Sequence, residues 1–215
     1  MHVKSPLIVL FAWVAIAPAI AQSQPAGVLA QDFSKEAYVF DRLYTRISAE
    51  NDGTGTRETE AQIHIVADAG VKEFAVLNFT YTSANVAVEI DYVRVRKPDG
   101  TVVKTPDYNI QDMPGEVTRT APLYSDIHEK HVAVKGLSVG DVLEYLVRYR
   151  VTKPEVPGQF WQEYSFAKSA IAKDERLEIS TPAAKYVKVV SPEFKPEVKE
   201  KLDGVSIDGR MPTWK

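Results

Sequence analysis

His128 and His131 stand three residues apart, a spacing that brings two imidazoles to one face of a helix and could then hold a metal ion. The segment around them reads as a strand, where residues three apart point to opposite faces, so no metal pair is expected. His64 lies between Ile63 and Ile65 and belongs to the wet side of its strand. Asp107, Asp112 and Glu116 could serve as an acid and base if they converged, as glycoside hydrolysis requires two carboxylates at a defined separation. They fall in a proline-bearing stretch that reads as solvated loop. The spacing of acidic residues in a calcium loop is missing, as are a Gly-x-Ser-x-Gly nucleophile turn and a glycine-rich phosphate loop. Cysteine is absent, which excludes disulfides and a thiolate nucleophile from this chain. No residue is therefore assigned to catalysis, to a cofactor or to a metal. The one side chain singled out for contact with a partner is Trp161: if residues 160–167 form a strand, Phe160, Tyr164 and Phe166 share the core face, and Trp161 falls opposite with Glu163 and Ser165.

The elements that would position these groups read as β-structure. Leu143, Tyr145, Val147, Tyr149 and Val151 alternate with polar residues and line one face of a half-buried strand. Val86, Val88, Ile90 and Tyr92 make a similar stripe, but the apolar parity then passes to Val93 and Val95, which a β-bulge near Tyr92 would explain. A strand from about Tyr38 to Ala49, the turn residues Asn51-Asp52-Gly53 and a return over Thr56 to Val66 read as a hairpin. Pro98-Asp99-Gly100 supplies a second tight turn, into Thr101 to Lys104. Further strands are expected at Phe74–Tyr81, Ile127–Val134, Phe160–Ala167, Arg176–Thr181 and Tyr186–Val190, and a surface loop at Pro106–Pro122. No long stretch repeats apolar residues at helical spacing. The fold class is all-β, a two-layer antiparallel β-sandwich or open barrel.

At 215 residues, with 45% hydrophobic and 26% charged, the chain has the content of a packed globular domain. A net charge of -3 leaves no basic excess for a phosphate backbone, so nucleic acid is excluded as a partner class. At the N-terminus, Lys4, an uncharged apolar run from Leu7 to Ala17 and the small residues of Ala19-Ile20-Ala21 read as a signal peptide over residues 1–21. The run is too short for a membrane span and Pro18 interrupts it, so membrane contact is expected only through the signal before cleavage. The protein is expected to be exported, to the periplasm or beyond. Residues 22–33 read as a flexible leader and 34–209 as the β-domain.

The order Val93-Arg94-Val95-Arg96-Lys97-Pro98-Asp99-Gly100, then Gly136-Leu137-Ser138-Val139-Gly140-Asp141-Val142-Leu143-Glu144-Tyr145, then Phe160, then Leu177-Glu178-Ile179-Ser180-Thr181-Pro182 resembles the bacterial domain-of-unknown-function family DUF3857. Members are β-rich domains that precede transglutaminase-like domains in exported proteins. The resemblance implies that catalytic Cys, His and Asp belong to a following domain, and that residues 210–215 begin a linker toward it. It implies a non-catalytic, extracytoplasmic domain that packs against, or recruits substrate for, a transglutaminase-like neighbour in the same polypeptide. The alternative is an independent extracytoplasmic binding module for cell-wall peptide or carbohydrate.

Overall fold

Two short turn sequences set the first strands of the structure. The computed structural model describes residues 32–210 apart from 124, 184, 192–196 and 202–203; the expected signal peptide, nearly all of the expected leader and residues 211–215 of the expected linker lie outside them. Strand β1 (Tyr38–Ala49) returns as β2 (Gly55–Ile65) through the turn at Asn51-Asp52-Gly53. Gly53 takes φ 91°, a conformation open to glycine, while the Asp52 carboxylate accepts from the Thr54 N–H at 2.9 Å and its hydroxyl at 2.7 Å. These bonds hold the Asp52 carboxyl below its ordinary range.

Helix α1 (Asp68–Phe74) comes next, so the strand expected from Phe74 starts instead as β3 (Val76–Thr82). The seven-residue helix is too short for a clear helical period, but Val71 and Phe74 turn onto the core. Phe74 meets the Tyr38 and Phe40 rings edge-on at 4.7 and 6.4 Å. Strand β4 (Val86–Arg96) carries the expected bulge, its register against the neighbouring strand slipping between Ile90 and Tyr92. The turn at Pro98-Asp99-Gly100, with Gly100 at φ 87°, leads to β5 (Val102–Lys104).

The stretch expected to be a loop over Pro106–Pro122 is instead structured, with β6 (Ile110–Pro114) and a short helix, α2 (Glu116–Thr120). Its alternation is weak because no residue of β6 is deeply buried, and as an edge strand it can end in proline. β7 (Ile127–Ala133) and β8 (Val142–Val151) stand where expected. Residues 160–167 and 186–190 join no ladder, so they are not the strands expected; Phe160, Tyr164 and Phe166 pack over Ile47, Leu177 and Ile179 of the large sheet instead. The chain ends its described part with β9 (Ile171–Ala172), β10 (Glu175–Pro182), β11 (Glu197–Lys201) and β12 (Gly204–Arg210), the last two an unforeseen hairpin.

The larger sheet runs β11-β12-β10-β1-β2-β8-β4-β5, with β9 beside β1, and a three-stranded sheet runs β3-β7-β6. Neither closes into a barrel. Ladders are antiparallel except β1 with β9 and with β10, which are parallel. This departs from an all-antiparallel fold for a topological reason: a parallel neighbour must be reached by a crossover, and residues 152–170 make it as a strap over the sheet. The small sheet stacks on the same inner face. Its Leu77, Phe79 and Val132 pack against Ala61, Ile63, Val93, Val95, Leu143 and Val147, with Phe79 edge-on to Tyr145 at 5.7 Å.

The opposite face of the large sheet is a charged lattice. Arg148 bridges Glu58 at 3.0 Å and Asp91 at 2.9 Å, and Arg46 meets Glu58 at 2.8 Å. Exposed pairs of this kind contribute little individually. Glu144 is different, being only 2% exposed although it sits on the wet side of β8. Arg94 grips it at 2.6 Å and Arg96 donates to its other oxygen, so the buried carboxylate is paired on both sides.

Candidate interaction groove

The strap is fastened at both ends. At its start Gly158, at φ 74°, donates its N–H to the Asp52 carbonyl at 2.7 Å. Lys185 Nζ then ties together the carbonyls of Glu50, Asn51 and Gly158 at 3.1, 3.1 and 2.8 Å. The β1–β2 turn fits closely here, since a Cβ on Gly53 would fall 2.5 Å from the Gln159 carbonyl oxygen. At the far end Glu175, on the inner face of β10, accepts from Tyr164 Oη at 2.9 Å and from the Ala167 N–H at 3.1 Å. Burial pushes the Glu175 carboxyl above its ordinary value, against the opposing pull of these donors. The same burial, with the neighbouring carboxylate, pushes the Tyr164 phenol upward, so it remains a donor. Between the fastenings Phe166 is buried against Ile47 and Leu177, and Tyr164 stands edge-on to it at 5.0 Å.

This anchoring turns Trp161 outward, at 70% exposure. The alternation expected for residues 160–167 survives in part, with Phe166 buried and Phe160 and Tyr164 half-buried against exposed Trp161, Glu163 and Ser165, but Gln162 is exposed too and no ladder forms. Trp161 lines a groove of about 620 Å³ between the strap and residues 185–191, floored by Leu177, Ile179 and Ile207. Tyr186 and Val190, 88% and 77% exposed, project beside it. A second hollow of about 340 Å³ lies along the strap between Gly53 and Glu163, and Trp161 lines that one too. Large apolar side chains gathered around a concave surface are what an interaction site presents. Nothing in the sequence singles out Tyr186 and Val190, since Tyr186–Val190 reads there as one more strand.

The candidate chemical residues are dispersed, with one exception. Asp112 and His128 meet, together with Tyr81 and Lys130. Asp112 accepts from Tyr81 Oη at 2.7 Å and Lys130 Nζ at 2.9 Å, and its Oδ1 lies 3.3 Å from His128 Nδ1. Burial would raise the Asp112 carboxyl, but the Lys130, Tyr81 and His128 hydrogen bonds outweigh it and hold the group below its ordinary range. Tyr81 is pushed up to about 12 by burial and by Asp112. An ionised carboxylate with three donors around it is a fastener between β3, β6 and β7 rather than a free base. His131 faces the other side of β7, paired with Glu129 at 2.8 Å, and His64 lies 3.9 Å from Asp41. Asp107 opens a 3-10 turn and Glu116 begins α2, both exposed. Among the described residues no group of three or more His, Asp or Glu stands together in a way that could hold a metal ion.

Comparison with solved structures finds the fold in the crystal structure of a candidate protease from Parabacteroides distasonis, at a TM-score of 0.68 and 17% identity, over 83% of this chain and 36% of that one. Weaker likenesses reach an M1 zinc metallopeptidase of Deinococcus radiodurans (TM-score 0.40, 9% identity, 81% of this chain and 39% of that chain) and the native leukotriene A4 hydrolase of Saccharomyces cerevisiae (TM-score 0.41, 11% identity, 90% and 31%). This chain therefore spans well under half the length of each of these proteins. Comparison with curated proteins gives no match. The model of a domain of unknown function with solved structure, DUF3857, covers residues 51–209, from the first turn to the last described strand, and the chain belongs to that family.

Proposed function

We propose that this chain is a non-catalytic, exported β-domain whose groove at Trp161 packs against a transglutaminase-like domain of the same polypeptide or presents substrate to it. The observation that carries this reading is the anchored strap, whose buried contacts on either side hold a tryptophan out at the rim of a groove with an apolar floor and polar walls. Trp is enriched where proteins meet partners, because it covers a large apolar area with few rotamers to freeze. The cysteine-free sequence also supports it, since acyl transfer through a thiolate would have to come from another domain. So does the Parabacteroides distasonis protein, in which the matching region is 36% of a longer chain. A second reading draws on the two exposed rings, Trp161 and Tyr186, flanking one groove: an independent module that stacks cell-wall carbohydrate or peptide.

With Trp214→Phe, the fragment 22–215 retains Trp161 as its single tryptophan. Its emission should lie near that of indole in water and be quenched readily by acrylamide. Joined to the transglutaminase-like domain, Trp161 should become protected; equal quenching in both forms would overturn the packing reading. Protection of the isolated fragment by peptidoglycan fragments would favour the second reading instead.

A further inference from the structure

Along β2 the inner-facing positions are Gly55, Arg57, Thr59, Ala61, Ile63 and Ile65, so one arginine points to the side where the core lies. The ladders place Arg57 in a cross-strand row between Ile47 and Tyr149, and the row continues to Val88. Its guanidinium carbon rests 4.8 Å from the centroid of the Tyr149 ring, and its Nε is buried without a hydrogen-bond partner. The outer-face arginines Arg42, Arg46, Arg94, Arg96, Arg148 and Arg150 each have a carboxylate. Arg57 has none among the described residues, and its neighbours in the row are Ile47 and the ring of Tyr149. A guanidinium that has given up part of its hydration without gaining an anion keeps unspent capacity to bind one.

A crevice of about 110 Å³ opens beside it, walled by Ile47, Val86, Tyr149, Val151 and Phe160, with Gln162 of the strap also in the lining. We propose that this crevice binds a carboxylate carried on a short apolar stem, with the charge met by Arg57 and the stem lying against the aliphatic and aromatic walls. A carboxylate matches the planar fork of arginine in a bidentate fashion. The lining holds no second cation, which fits a singly charged group better than a phosphate, and its small volume fits a chain end or side chain better than a sugar. The crevice shares Phe160 and Gln162 with the groove but is lined by neither Trp161, Tyr186 nor Val190, so the proposal does not depend on what the groove binds.

The test is titration of the isotope-labelled fragment 22–215 with propionate, following the Arg57 Nε–H resonance. Propionate should move that resonance saturably, while propionamide and chloride at matched ionic strength should not. Arg57→Gln should weaken binding about tenfold or more, as expected for loss of a charge-assisted pair, while its urea unfolding midpoint is no lower than that of the unaltered protein. Should that variant not fold, Arg57→Lys, which keeps the charge but not the fork, should show the same weakening with an unchanged circular dichroism spectrum. An alanine dipeptide with a free C-terminus and an amidated peptide bearing one Glu separate the sources, the tighter binder naming the natural group as chain end or side chain. No saturable shift with propionate, or an equal shift with propionamide or chloride, would overturn the proposal.

Discussion

Replacing Phe166 and Trp161 one at a time by alanine separates the two jobs of the strap. Phe166 is 6% exposed and packs on Ile47, Leu177 and the edge of Tyr164; Trp161 is 70% exposed. Transfer of a buried phenylalanine side chain back to water costs about 3 kcal/mol, and the space left in the second core adds to it, so buried Phe→Ala changes typically cost about 3–5 kcal/mol. The strap is not hydrogen-bonded into the sheet as a strand, so it can relax into part of that space, and the expected loss for Phe166→Ala is at the lower end, about 3 kcal/mol. For a domain of this size that corresponds to roughly 6–12 °C in melting temperature. Trp161→Ala removes a larger side chain but little buried area, and the expected change is within about 0.5 kcal/mol. Urea unfolding followed by circular dichroism measures both, and hydrogen exchange adds a local readout. The Ala167 N–H, bonded to Glu175, should lose protection in Phe166→Ala and keep it in Trp161→Ala. A Trp161→Ala midpoint that falls as far as that of Phe166→Ala would refute the reasoning, because it would make Trp161 part of the core.

Glu175 predicts a pH dependence. Its folded-state carboxyl lies above the ordinary value, so its contribution is fully present below the usual carboxylate range and is lost as pH rises through the elevated folded value. Glu175→Gln should flatten that part of the stability profile, and identical profiles for the two proteins would count against the assignment. Gly70 is buried in α1, where a Cβ would fall 2.3 Å from the Ala37 carbonyl oxygen. Gly70→Ala should therefore destabilise by about 2 kcal/mol despite alanine's better helix propensity, and a raised unfolding midpoint would show that the helix can shift away from β1. The fragment 22–215 should show no amide hydrolysis or transamidation, with or without zinc or calcium; turnover above a heat-denatured control would overturn its reading as a non-catalytic domain.

Local chemistry made several elements legible in advance. Gly53 and Gly100 sit where turns need positive φ, and the alternation of Leu143, Tyr145 and Val147 identifies the inner face of β8 without reference to any partner. The shift of parity from Ile90 to Val93 marks the bulge, because an extra residue must move every later side chain to the opposite face. These features depend on a few neighbouring residues, and the stretches around Gly100 and Leu143–Tyr145 also carry the family resemblance.

What tertiary structure alone decided involves residues far apart in the chain. No residue of β6 is deeply buried, so its sequence carries little alternation and reads as loop, while Lys130, Tyr81 and His128 reach Asp112 only across two strand pairings. Phe160 to Ala167 alternates as a strand does, yet period alone does not say whether a segment joins a sheet or crosses it; the parallel entry of β10 beside β1 requires the crossing. Glu144 reads as an exposed carboxylate on a wet face and becomes buried because a bulge and a register bring Arg94 and Arg96 over it. Composition and period determined that this chain would form layered β-structure with one face buried. Which polar groups that burial would enclose, Glu144 and Arg57 Nε among them, was set by long-range pairing, which no local window of the sequence encodes.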